Sequence, residues 1–161
     1  TDIHEHKVKI LNELKNKYGY SNFEVKFNDA AQIENLNTKF DKILLDMPCS
    51  GLGVLRKKPE KIYELTSNDI KSLKKLQKKI FESAYKCLKS GGEMVYSTCT
   101  FSKNENTNNI QYFLEKYEDL EILEVEISEN IKTVRDEFGG VYISYKNEYL
   151  DGFYIAKLRK K

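Results

Sequence analysis

Two short apolar runs, FDKILLDMP from Phe40 to Pro48 and EMVYSTC from Glu93 to Cys99, stand on either side of one helix-length segment. Each run is mostly continuous rather than alternating, the pattern of a strand buried on both faces of a parallel sheet. Between them, over roughly Asn68–Lys89, Ile70, Leu73, Ile80, Ala84 and Leu88 form one stripe at helical spacing. Lys71, Lys74, Lys75, Lys78 and Lys79 cover the other faces. The KSGG that follows supplies the glycine expected after a helix C-terminus. Strand, helix and strand in this order predict an α/β layer fold with a largely parallel sheet.

The rest of the chain extends the alternation. Val8, Ile10, Leu11 and Leu14 mark a helix over Glu5–Tyr18, with Gly19 as its stop. NFEVKFND alternates Phe23, Val25 and Phe27 and reads as a strand. NENTNNIQYFLEKY reads as a helix, LEILEVEI as a strand, and GFYIAKLRK as a final strand paired with GGVYISYK. Ligands of open α/β sheets gather at the carboxyl ends of the strands. Asp2, Asp29, Asp46 and Cys99 all fall at or just past predicted strand ends, so they are expected to line one edge of the sheet.

A length of 161 residues suits one domain with a single core. The 27 basic and 25 acidic residues nearly balance, yet Gly51–Ser90 holds eleven Lys/Arg against four Asp/Glu. That local excess suits a polyanion such as nucleic acid, and it equally suits a solvated lysine-rich helix face. The cysteines at 49, 87 and 99 form no CxxC and stand far from His4 and His6, so neither a metal site nor a disulfide set is expected. With no signal peptide and no apolar stretch of membrane-spanning length, the reading is reduced thiols in a cytoplasmic protein. The opening TDIHEHKVKI lacks an initiating Met, which suggests entry partway into a domain.

Taken singly, each candidate has an ordinary reading. A lone cysteine is more often a small core hydrophobe than a reactive thiol, and Cys87, late on the amphipathic helix, fits that description. Cys49 lies between Pro48 and the turn-forming SGLG, and Cys99 between a buried strand and a polar loop. Asp46 closes an apolar strand, where a carboxylate needs donors or a ligand. Asp29 suits a helix or turn cap, and Asp2 precedes a helix whose N-terminus favours an acid. The RKKPEK stretch, with Arg56, Lys57 and Lys58, is a solvated loop or a basic approach to a site.

Together these residues resemble a known pattern. LLDMPCSGLGVLRKKP resembles the D-A-P-C-S-G motif of the Nol/Nop/Sun family of RNA cytosine-C5 methyltransferases, and YSTCT resembles that family's second cysteine motif. LKSGGEMVY between them and LDGFYIAKLRK at the end also match, so the likeness spans nearly the whole chain. The nearest likeness is to the bacterial Sun enzymes that act on 16S ribosomal RNA. The resemblance implies a Rossmann-like fold that binds S-adenosylmethionine. It implies Asp2 at the cofactor ribose, Asp29 near the adenine, and Asp46 between methyl donor and target base. Cys99 matches the nucleophile and Cys49 the thiol that assists product release. Arg56, Lys57 and Lys58 would approach RNA.

The chain departs from the pattern in three places. Met47 replaces the usual Ala, and SYKNEYLDGFY lacks a Pro-His pair common before the last strand. The first strand and its glycine-rich turn are not found, so residues 1–161 read as part of a catalytic domain, from the end of its second strand onward. FEVKF and DKILLD would then lack their shared neighbour. Weak cofactor binding and an exposed strand edge open to another chain are the expectations.

Two thiols suit the chemistry. A thiolate that adds to cytosine C6 makes C5 nucleophilic, and cysteine is partly ionised near neutral pH. After methyl transfer the C5 proton must leave before the C6–S bond breaks, a task for a second group. Two rival readings stand beside this one. One is a DNA cytosine-C5 methyltransferase that uses the Pro-Cys thiol, and the other is an RNA-binding protein without catalysis.

Overall fold

The computed structural model describes residues 1–161. β1 (Phe40–Asp46) and β2 (Leu88–Thr98) run parallel and are joined through α2 (Lys61–Glu64) and α3 (Ser67–Cys87). β6 (Phe153–Lys160) lies antiparallel against β2. The far side of β6 is shared: β5 (Val141–Ile143) pairs with its first residues and β3 (Leu120–Leu123) with its last. β4 (Thr133–Arg135) pairs with β5, and the order across the sheet is β1-β2-β6-β5-β4.

The register is set by the fit of large against small. Tyr96 stands opposite Ala156, and Met94 opposite Leu158, with all four side chains fully buried. Against that face pack α3 and α4 (Thr107–Lys116), whose Phe81 and Phe113 rings stack at 3.6 Å between centroids. Each such ring contributes about 1.5–3 kcal/mol of hydrophobic stabilisation. A capping box starts α3: Thr66 Oγ1 accepts from Asp69 N–H, while Asp69 Oδ2 accepts from Thr66 N–H. Its buried face, Gln77, Ile80, Phe81, Ala84 and Cys87, keeps helical spacing.

Four expectations need correction. NFEVKF is not a strand: it makes only an isolated bridge between Phe27 and Asp2, and Phe23 and Phe27 are exposed. Alternation does not make a strand where no neighbour supplies a ladder. KSGG is not a loop closing the helix, because α3 ends at Cys87 and KSGG belongs to β2. Gly91, at φ +75°, lies where the register slips from Phe40↔Leu88 to Lys42↔Glu93, so it serves a bulge. LEILEVEI is a strand only over Leu120–Leu123, because β5 occupies the edge of β6 beyond Lys157. The sheet is also less parallel than predicted, with β1–β2 its one parallel pair.

The predicted helix over Glu5–Tyr18 forms as α1 (Glu5–Lys17), but its Ile10, Leu11 and Leu14 stay exposed. FDKILLD forms the expected strand but is not buried on both faces: the outer edge of β1 pairs with no strand, Leu45 is its one buried residue, and Leu44 is 73% exposed. No helix is long and apolar enough to cross a membrane.

Candidate active site

Because β1 and β2 are parallel and Asp46 pairs with Ser97, the residues just past both strands emerge on one edge. Met47 N–H continues the ladder to Ser97 carbonyl at 2.9 Å. Cys49 and Cys99, fifty positions apart in sequence, thereby meet with their sulfurs 3.1 Å apart. Cys99 N–H also points at Cys49 Sγ, at 3.3 Å. Both are free thiols, half-buried, and Cys87 is buried in the helix as expected.

The pair is electrically polarised. The hydrogen bond between the two sulfurs is the main cause drawing the Cys99 thiol down from its ordinary value to about 7. Burial opposes the shift, while its own backbone amide adds to it. Further out, the Asp46 carboxylate raises it and the Lys61 ammonium lowers it. Cys49 moves strongly upward, first because its proton is held by Cys99 and then because it is buried. Of the two thiols, Cys99 is the one that ionises more readily.

Behind the sulfurs lies a buried polar network that the sequence analysis did not single out. Glu105, fully buried, accepts from Ser50 N–H at 2.9 Å, Ser50 Oγ–H at 2.6 Å and Gln77 Nε2–H at 3.1 Å. Gln77 also donates to the Pro48 carbonyl at 2.9 Å. Asn106 accepts from Thr98 Oγ1 at 2.7 Å and donates to the Thr100 carbonyl at 2.9 Å, bracketing Cys99. Thr100 Oγ1 and Ser50 Oγ, 2.7 Å apart, join the two halves. The only trace of this in the sequence is a run of polar residues, Glu105–Thr107, that turns out to be buried at a helix start.

A main-chain relay leads outward. Gly53 N–H donates to the Cys99 carbonyl and Gly152 N–H to the Gly53 carbonyl, each at 2.9 Å. A Cβ on Gly53 would stand 2.1 Å from the Gly152 oxygen, so only glycine permits this approach.

The other predicted residues divide into groups. Asp2 and Asp29 lie close to one another through the Asp2–Phe27 bridge and the Asn28 N–H to Asp2 carbonyl bond. Asp2 Oδ1 accepts from His4 N–H, which holds its carboxyl below the usual range, and Asp29 Oδ1 caps Ala31 N–H. No hydrogen bond or ion pair joins these two to Asp46, which is exposed and has no partner of its own. Arg56 is spent on main-chain carbonyls: it donates to those of Tyr145, Asn147 (3.0 Å) and Glu148 (2.8 Å). Lys57 pairs with Asp151 at 2.6 Å, and Lys58 has no ion pair. On α3, Lys71, Lys74, Lys75 and Lys78 together line a hollow of about 230 Å³, and Lys78 Nζ sits 3.2 Å over the Tyr112 ring.

The chain is 36% identical to the "Probable ribosomal RNA small subunit methyltransferase B" of Bacillus subtilis over 99% of its length and 37% of that protein. It is 34% identical to the ribosomal RNA small subunit methyltransferase F of Shewanella piezotolerans over 96% of its length and 33% of that protein. The chain thus spans about a third of the curated relatives it matches. Among solved structures it resembles NSun6 from Pyrococcus horikoshii with SFG (31% identity, TM-score 0.85, 98% of this chain and 40% of that one). It also resembles a methyltransferase homologue from Pyrococcus horikoshii (30%, 0.83, 99% and 52%). The α/β sheet is that of the Rossmann-like methyltransferases. The family model described as 16S rRNA methyltransferase RsmB/F matches residues 1–159, and the chain belongs to that family.

Proposed function

We propose that this chain carries the catalytic edge of an S-adenosylmethionine-dependent methyltransferase for cytosine C5 in RNA, with 16S ribosomal RNA as substrate. The observation that carries the reading is the polarised thiol pair, sulfurs 3.1 Å apart, at the carboxyl end of the one parallel strand pair.

The Cys99 thiolate adds to C6 of an unstacked cytosine, and the displaced electron pair moves toward C5 and N3. Asp46, carrying or sharing a proton with N3, offsets that charge. S-adenosylmethionine, when bound, supplies an electrophilic methyl group. Asp2, Asp29 and Asp46 suit it chemically, because carboxylate oxygens accept from hydroxyl and amino groups, and Asp46 and Asp29 Oδ2 have no hydrogen-bond partner. The SFG in the NSun6 structure is an analogue of that donor.

Cys49 takes its role from the same coupling that silences it at first. Its proton is retained mainly because the Cys99 sulfur accepts it. Once Cys99 is bonded to C6 that acceptor loses its charge, and Cys49 ionises more readily. Its thiolate can then take the C5 proton. The C5–H electrons re-form the C5–C6 double bond as the C6–S bond breaks, and Cys99 leaves as thiolate. This polarity also speaks against the DNA-enzyme arrangement, in which the Pro-Cys thiol, here Cys49, would attack. RNA would be approached through Lys58 and the α3 lysines that line the open hollow on that helix.

The test is trapping with RNA that carries 5-azacytosine. The adduct should map to Cys99, and an adduct on Cys49 would overturn the assignment.

A further inference from the structure

A cavity of about 330 Å³ opens beside the second cysteine loop, between that loop and the β4–β5 hairpin. Phe101 and Tyr145 wall it, ring centroids 5.6 Å apart at 73°, and Tyr142, Lys103 and Arg135 line it further. The volume lies at the lower end of small-ligand sites. The same two rings bound a neighbouring hollow of similar size near Leu52 and Leu55, so ring surface is open on two sides.

We propose that this cavity is a subsite for the nucleotide next to the target base, with that base stacked on the Tyr145 ring, Phe101 edge-on beside it, and its phosphate at Lys103. The proposal rests on RNA being the substrate.

Three observations favour it. The platform is tied to the nucleophile by main chain. Cys99 carbonyl, Gly53 and Gly152 are linked in sequence by hydrogen bonds, and Phe101 lies against Gly152 so closely that a Cβ there would come within 1.8 Å of the ring. Two such hydrogen-bonded steps span roughly 10 Å, the scale on which a neighbouring nucleotide would have to reach the rings. The platform is also rigid. Arg56 holds the carbonyls of Tyr145, Asn147 and Glu148, and the Asn147 side chain bonds both the N–H and the carbonyl of Lys132 at 2.8 and 2.9 Å. Arg56 therefore serves RNA indirectly, as a positioning residue for Tyr145. Finally, a free cation is present. Lys103 has no ion pair, whereas Arg135 is paired with Glu124; of the two acids in the lining, Asp136 is saturated by Phe138 N–H, Gly140 N–H, Thr107 Oγ1 and the Tyr154 hydroxyl, and Glu137 is exposed to solvent. Exposed aromatic rings beside a cation are the usual means of holding unpaired bases.

The experiment uses a complete enzyme that carries this sequence and short single-stranded RNAs with 2-aminopurine, an adenine analogue quenched by stacking, on either side of one cytosine. Binding to the unaltered protein should quench the probe on one side. Tyr145→Ala, which removes a side chain 58% exposed, should abolish that quenching and weaken binding about tenfold. Lys103→Gln should lower the slope of log affinity against log salt by about 1. Both variants should keep the Cys99 alkylation profile, which reports an intact thiol pair. Unchanged quenching and affinity in Tyr145→Ala, with the unaltered protein binding RNA normally, would overturn the subsite alone. Failure of the unaltered protein to bind any RNA would overturn the proposed function with it.

Discussion

Glu105→Ala is the sharpest test of how the thiol pair is held. The carboxylate accepts three hydrogen bonds in a fully buried setting, two from Ser50 and one from Gln77. Truncation does not strand all three donors equally. Gln77 keeps the Pro48 carbonyl, and the Ser50 hydroxyl can turn to Thr100 Oγ1 at 2.7 Å. Ser50 N–H has no alternative, and an orphaned buried donor costs about 1–3 kcal/mol. Adding about 1 kcal/mol for each of the other two bonds gives a loss of about 3–5 kcal/mol. That is a large part of the 5–15 kcal/mol typical of a whole domain. Urea denaturation at constant pH would read it as a lower midpoint with unchanged slope. Glu105→Gln still accepts from Ser50 N–H through its amide oxygen and should lose only about 1 kcal/mol. Because Ser50 follows Cys49 directly, loosening it should also part the sulfurs. Alkylation of Cys99 in Glu105→Ala should then show its inflection above 7. A loss below about 1 kcal/mol, or an alkylation profile identical to the unaltered chain, would refute the reasoning.

Other outcomes follow from the same geometry. In the unaltered chain, alkylation of Cys99 should rise with pH and reach half its maximal rate near pH 7. Cys49→Ala removes the donor that favours the thiolate, so the inflection must move up, and mass spectrometry of labelled Cys99 checks it. In a methylation assay with a complete enzyme of this sequence, Cys99→Ala should abolish transfer. Cys49→Ala should instead accumulate a denaturation-resistant protein–RNA adduct, visible on a denaturing gel. The unpaired β1 edge should make the chain self-associate with rising concentration, and Leu44→Lys should suppress this in sedimentation velocity.

Some of this was legible from residue order alone. α3 and β2 are set by burial, and burial writes itself into the spacing of apolar side chains; β1 forms where its apolar run predicts, yet Leu45 is its one buried residue. The partners of a strand are not written that way. NFEVKF alternates well enough but meets only Asp2, and LEILEVEI loses its second half because β5 holds that part of β6. Cys49, Cys99 and Asp46 were found by motif, yet their meeting depends on the Asp46↔Ser97 register. Glu105 and Asn106 went unnoticed because polar residues before a helix ordinarily face solvent. Arg56 was assigned by charge, and charge does not reveal that three carbonyls from a loop some ninety residues away take up its donors.

The Cys99–Gly53–Gly152 relay has a consequence for how such a protein can diversify. It is made of peptide groups, so it is indifferent to the side chains of the three loops it joins, provided Gly53 and Gly152 stay glycine. The exposed side chains at the tips of those loops, Lys103 and Tyr145 among them, can therefore vary while the thiols remain in register. The thiol pair and the surface around it are mechanically joined here and yet free to evolve separately.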